Sequence, residues 1–199
     1  MAESAAALFG GTFDPIHNAH LKIAHAAADR FDLDRVLFVP AGHPPHKPAG
    51  AAASWEDRVH MAELACAADA RFEVSLVESP DPANPAPSYS ITAIETLKAQ
   101  GYRRLSFLIG GDAFAEIRTW YRWRDVVAAV DFIVVTRPGS DPNRNVPSGA
   151  IVHELDGLDL PTSSSEVRRL LSENAASIPV PDAVLRYIRD HGLYRSQPK

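Results

Sequence analysis

The sequence has a single cysteine, Cys66, which excludes a disulfide framework and a cysteine-based zinc finger and suits a reducing compartment. It also lacks any stretch free of Asp, Glu, Lys and Arg that approaches the ~18 residues of a membrane-spanning helix. The longest such stretch, Pro82 to Ile94, is interrupted by prolines. No basic region precedes the first apolar run, so the opening residues do not read as a secretory leader. Positive charge is not in excess: 20 Lys plus Arg face 25 Asp plus Glu, a net charge of −5. The densest basic cluster, Arg118, Arg122 and Arg124, is interrupted by Glu116 and Asp125, and no basic stripe of the kind that grips a duplex is present. These absences predict a soluble cytoplasmic protein with no nucleic acid and no membrane. Oligomeric state, monomer or homodimer, is left open.

What is present is an alternation of element types along a chain of 199 residues, long enough for one domain spanning 1–199 with a single well-filled core. Short apolar runs of strand length occur at Ala5–Phe9, Val36–Val39, Phe72–Val77, Leu105–Ile109, Phe132–Thr136 and Ile151–Leu155. Between most of them lie helical spacings. Ala19–Phe31 carries Leu21, Ile23, Ala24, Ala27 and Ala28; Ser54–Ala68 opens on a capping pair, Ser54 and Asp57, and points Val59, Leu64 and Ala67 inward. Ser90–Gln100 repeats Ile91, Ile94 and Leu97 and stops at Gly101. The segment 158–199 is helical, with Ser164–Ser172 and Pro181–His191. Strand–helix–strand repetition means parallel strands, so the predicted fold class is doubly wound α/β with helices on both faces of the sheet. Loops are expected at Ala41–Ala53, Ser79–Pro87 and Pro138–Gly149. Ligands of such a sheet bind beyond the carboxyl ends of its strands, where the strand order reverses.

The first strand runs into Gly10-Gly11-Thr12-Phe13-Asp14-Pro15, followed by His17-Asn18-Ala19-His20 at a helix start. Paired glycines allow close approach of backbone to a phosphate. Histidines three apart share one helix face, here at the positive end of the dipole. A zinc site formed by His17, His20 and either His25 or His43 is the competing reading of these residues, although no cysteine or carboxylate is placed to complete it. The P-loop and dinucleotide fingerprints are both missing.

Near the other end of the chain, Thr162-Ser163-Ser164-Ser165-Glu166-Val167-Arg168 combines hydroxyls, free helix-start amides and a guanidinium one turn in, a set suited to a polyphosphate. Taken alone, its serines could be a simple helix cap. Together, Gly11–Pro15 with His17–His20 and Thr162–Arg168 resemble the two signature motifs of a nucleotidyltransferase superfamily, Gly-x-Phe-Asp-Pro with His-x-Gly-His, and Ile-Ser-Ser-Thr-x-x-Arg. Further segments are similar to the bacterial nicotinate-nucleotide adenylyltransferase branch: Pro44-Pro45-His46-Lys47-Pro48, Ser88-Tyr89-Ser90, Gly110-Gly111-Asp112, Thr119-Trp120-Tyr121, Arg137-Pro138-Gly139 and Gly192-Leu193-Tyr194-Arg195. The departures are Ala19 for the glycine of the first motif, and Thr162 and Ser165 for isoleucine and threonine in the second.

The resemblance implies ATP and nicotinate mononucleotide as substrates, with Mg²⁺ carried on the ATP phosphates and no metal ligand among the side chains. It implies catalytic roles for His17, His20, Lys47 and Arg168. It assigns ATP to Gly10, Gly11, Thr12, Phe13, His17, His20, Gly110, Asp112, Arg137, Ser163, Ser164 and Arg168. It assigns the mononucleotide to Lys47, Ser88, Tyr89, Ser90, Trp120 and Tyr121. No acidic residue lies within Ser88–Ser90 or Thr119–Arg124 to accept from an amide, which favours the acid over the amide nucleotide. The alternatives are preference for nicotinamide mononucleotide or another phosphate ester, and a non-catalytic nucleotide-binding module. Trp55, Met61 and Cys66 are expected in the core.

Overall fold

The computed structural model describes residues 4–43, 50–83, 87–136, 146–158 and 160–195. Six strands form one all-parallel sheet: β1 (Ala5–Gly11), β2 (Arg35–Pro40), β3 (Phe72–Val74), β4 (Arg104–Gly110), β5 (Asp131–Val135) and β6 (Val152–Leu155). Their order across the sheet is β3-β2-β1-β4-β5-β6, so the direction of winding reverses between β1 and β4. That reversal opens a crevice at the ends of exactly these two strands in a doubly wound sheet. The expected fold class is the observed one.

Alternation along each strand divides the interior in two. Ala7 and Phe9 of β1, Val36 and Phe38 of β2, and Ile133 and Val135 of β5 face one core. Helices α1 (Asn18–Arg30), α2 (Trp55–Cys66), α6 (Ser164–Ser172) and α7 (Asp182–Asp190) cover it. Ala6 and Leu8, Leu37 and Val39, and Phe132 and Val134 face the other, covered by α3 (Ser90–Ala99), α4 (Gly111–Ala115) and α5 (Trp123–Ala129). Strands with both faces buried read as continuous apolar runs, which is why they were legible in sequence.

Several local details differ from expectation. β3 ends at Val74 because its pairing with β2 runs out there, and a turn closed by Ser79 N to Leu76 O leaves Leu76 exposed. Val59 is buried and Leu64 partly buried in α2 as expected, but Ala67 is exposed, and Arg58, Met61, Ala62, Ala65 and Cys66 make up the rest of the buried face. Met61 and Cys66 are core, but Trp55 is half-buried, its indole N–H donating to Pro40 O at 3.1 Å. Helices α4 and α5, five and seven residues long, escaped the sequence reading because so few residues carry no resolvable period. Ser54 caps α2 through Asp57 N as expected, and Gly101 and Gly192 take positive φ after α3 and α7. No helix among the described residues is long and apolar enough to cross a membrane.

Candidate active site

The chain leaves β1 through Thr12 and Phe13 and enters α1 at Asn18. Phe13 has positive φ, and its ring lies about 3.0 Å from where a Gly11 Cβ would stand. A side chain at Gly11 would therefore press on the Phe13 ring, which anchors the loop edge-on to Phe9 in the core. Gly10 retains ordinary clearance beside Leu8 and Phe107.

His17 and His20 stack at 3.8 Å between centroids, and His20 meets the Phe13 ring edge-on at 5.0 Å. The His17 backbone N–H donates to His20 Nδ1 at 3.2 Å. That bond places the neutral His20 proton on Nε2, making the outer nitrogen a donor. Burial pushes the His17 imidazole down to about 4, and burial plus the neighbouring His17 pushes His20 well below the ordinary histidine range. Both rings are thus uncharged near neutrality. His17 is 4% exposed, and its Nδ1 has no hydrogen-bond partner, an orphan of the kind that marks functional sites. At the helix start itself, Asn18 N donates to Pro179 O and is already satisfied.

The second motif converges on the same loop. Ser164 Oγ donates to Pro15 O at 3.1 Å, and Arg168 Nη1 donates to Asp14 O at 2.6 Å. Ser163 caps α6 by accepting from Glu166 N, so its capping reading holds. Two helix starts separated by most of the sequence thus meet at the carboxyl end of β1.

Across the crevice, Gly110 closes β4 and Gly111 opens α4, with Asp112 exposed in its first turn. Gly110 has open space where a Cβ would sit. Half-buried Trp120 packs edge-on to Phe107 of β4 at 5.7 Å, and Phe107 in turn reaches towards Gly10. Tyr89 and exposed Tyr121 meet with tilted rings at 4.4 Å between centroids, joining the start of α3 to the segment after α4. Ser90 is the first residue of α3. Lys47 and Arg137 lie outside the described residues.

The whole-chain comparisons agree with this geometry. A family model described as cytidylyltransferase-like matches residues 8–170. A protein of Solibacter usitatus named "Probable nicotinate-nucleotide adenylyltransferase" is 54% identical over 190 residues, covering 94% of this chain and 98% of that one. A Gloeobacter violaceus protein of the same name is 40% identical over 197 residues, with 94% of each covered. The chain belongs to the nicotinate-nucleotide adenylyltransferase family. Its fold is that of the Plasmodium falciparum nicotinic acid mononucleotide adenylyltransferase complexed with NaAD, at a TM-score of 0.78 and 17% identity, covering 96% of this chain and 97% of that one.

Other polar residues of this family member's site were not singled out by the sequence. Asp14, 2% exposed, accepts from Ala52 N, Ala53 N and the Tyr194 hydroxyl. Arg58, also 2% exposed, donates through Nη1 to Thr12 O at 2.7 Å, while its Nε is buried without a partner. The signal for Arg58 was available: it occupies the same 58, 61, 62, 65 face as Met61, Ala62 and Ala65. Burial pushes Glu78 up to about 7, against the opposing effect of a hydrogen bond from Ser88. Ser88 Oγ also accepts from His43 N at 3.0 Å, so its hydroxyl is engaged by the protein on both sides. Gly42 is obligatory here, since a Cβ would stand 2.3 Å from Glu78 O. The zinc alternative finds no support: His25 pairs with Asp69, and no group of three or more candidate ligands occurs among the described residues.

Proposed function

We propose that this chain transfers the adenylyl group of ATP to nicotinate mononucleotide, forming deamido-NAD and releasing pyrophosphate. The observation that carries the reading is the convergence of the stacked pair His17 and His20 with Arg168 on one loop at the β1 end of the crevice. The identity to relatives of that name over nearly the whole chain supports it.

The acceptor phosphate monoester has a second pKa near 6 and is largely dianionic at neutral pH, so its oxygen attacks the α-phosphorus without a general base. The bond from the α-phosphorus to the bridging oxygen breaks, and pyrophosphate leaves with its electron pair. The protein's work is in-line positioning and stabilisation of charge on the transferring and leaving groups. His20 Nε2–H, uncharged in the free protein, is a preorganised donor to the phosphates. Arg168 supplies fixed positive charge on the same loop, and Lys47, Ser163 and Arg137 complete the polyphosphate contacts, while Ser164, its hydroxyl proton held by Pro15 O, orders the loop rather than donating to phosphate. Asp112 takes the ribose hydroxyls, and Trp120 offers its face to the pyridine ring. Mg²⁺, when bound, neutralises phosphate charge. With Asp14 buried and held by three protein donors, the ion would be held by the ATP phosphates rather than by this carboxylate.

Selection of the acid nucleotide rests on backbone amides near Ser90 and Tyr121, which satisfy a carboxylate but oppose an amide NH₂. Each mismatch left unpaired costs ~1–3 kcal/mol. Glu78 adds one carboxyl beside Ser88 that the local sequence did not reveal. A pyrophosphate-release assay with ATP and each mononucleotide in turn is the test. The expected kcat/KM is at least ~50-fold higher for nicotinate mononucleotide. Comparable values overturn the acceptor assignment, and no release with either overturns the activity.

A further inference from the structure

We propose that Tyr194, beyond α7, is a positioning residue for the ATP-binding loop, acting through the buried carboxylate of Asp14. The reading rests on the function proposed above. Tyr194 OH donates to Asp14 Oδ1 at 2.8 Å, across 180 positions of sequence. The same carboxylate accepts from Ala53 N at 3.1 Å on Oδ1 and from Ala52 N at 2.7 Å on Oδ2. Arg168 Nη1 stands 3.8 Å from Oδ2 while donating to the Asp14 carbonyl. Arg58, held to Thr12 O, supplies a second nearby positive charge, and its attraction to Asp14 opposes the effect of burial on its own guanidinium.

Asp14, 2% exposed and held by three protein donors, is thereby engaged by the protein. It ties four pieces of chain together: the β1 loop, the segment entering α2, the start of α6 and the turn after α7. Three residues on, His17 begins the histidine pair, and two residues back, Thr12 carries backbone expected to face phosphate. A buried carboxylate held by three donors at the centre of a loop fixes that loop to a few tenths of an ångström, the tolerance that in-line transfer requires.

Tyr194 is suited to this task. Burial and the adjacent carboxylate raise its phenol above the ordinary tyrosine range, so it remains a donor at every working pH. Its backbone takes positive φ two residues after Gly192, which also has positive φ, and Leu193 N returns to Ile188 O. That turn holds the phenol over the loop. Loosening it should degrade the ATP side of the site and leave the ring-binding side around Trp120, which is built on the other face of the sheet.

The test is Tyr194→Phe, which keeps the ring and removes the hydroxyl. ATP dissociation constants, kcat, both KM values and the thermal midpoint are measured beside wild type. We expect ATP to bind at least ~10-fold more weakly and kcat to fall by a similar factor, with the mononucleotide KM within about twofold, the loss of one charge-assisted hydrogen bond. Unchanged ATP binding overturns the proposal. So does an equal loss for both substrates, or a failure to fold, because Tyr194 then serves the fold as a whole. A wild type that binds ATP but releases no pyrophosphate with nicotinate mononucleotide overturns the acceptor assignment alone, and the ratio of ATP dissociation constants still decides the role of Tyr194. A wild type that binds no ATP overturns both.

Discussion

Replacing His20 by alanine removes two interactions that have different readouts. One is the Nε2–H donor towards the phosphates, whose direction is fixed by the His17 N–H bond to Nδ1 at 3.2 Å. Deleting one preorganised donor of this kind costs ~10²–10³ in kcat, about 2.7–4 kcal/mol of barrier. The other is that Nδ1 bond itself, which satisfies an amide at the α1 start and contributes about 0.5–2 kcal/mol to stability, as other N-terminal capping bonds do. His20→Ala should therefore lower kcat at least ~100-fold while urea unfolding shows a loss of about 1 kcal/mol. His20→Asn places an acceptor oxygen near the lost Nδ1 and should recover most of the stability but little of the rate. The pH profile separates the two protonation states. With both histidines pushed well below 6.5, kcat/KM for ATP should stay flat from pH 7 to 8.5. A required imidazolium of ordinary pKa would instead lose about tenfold per pH unit in that range. Steady-state pyrophosphate release at saturating mononucleotide measures all three. Turnover of folded His20→Ala within about fivefold of wild type, or a falling profile, refutes the reasoning.

The remaining predictions concern single residues. His17 should make the protein acid-sensitive: its imidazole titrates at about 4 when folded and 6.5 when unfolded, so stability is full above pH 6.5 and is lost as pH falls towards 4. That gap corresponds to about 3 kcal/mol, and urea titrations of wild type and His17→Asn should converge by that order between pH 7.5 and 4; parallel curves refute it. Trp120→Ala should raise the mononucleotide KM much more than the ATP KM, since stacking is local to one substrate; equal effects in the same assay make Trp120 structural. Arg58→Met should cost about 3–5 kcal/mol in chemical denaturation at pH 7, because it strands Thr12 O and leaves the Asp14 carboxylate without its buried counter-charge. A loss below about 1 kcal/mol would show that the two groups relax independently.

Much of this protein was legible locally. Strands buried on both faces read as apolar runs, and α3 and α7 declared their stops through Gly101 and Gly192. The two phosphate motifs were visible because each is a short cluster of donors beside a helix start. A helix of five residues, such as α4, carries too few positions for any period, and β3 ended where its neighbour stopped pairing rather than where its own apolar residues did.

The sequence by itself determined the parallel α/β class and the identity of the histidine pair, because both depend on spacings of two to four residues. Only the tertiary structure decided what holds that pair in place. Asp14, quoted in sequence only as part of the loop motif, is a buried carboxylate reached by Tyr194 from 180 positions away. Arg58, given no role in sequence, lies in the core bonded to Thr12, and Glu78 meets Ser88 across a proline-rich loop. Periodicity reports which face of an element is buried. It carries no information about which distant polar group will be waiting there, and the cost of burying a charge without a partner makes that choice a property of the assembled fold.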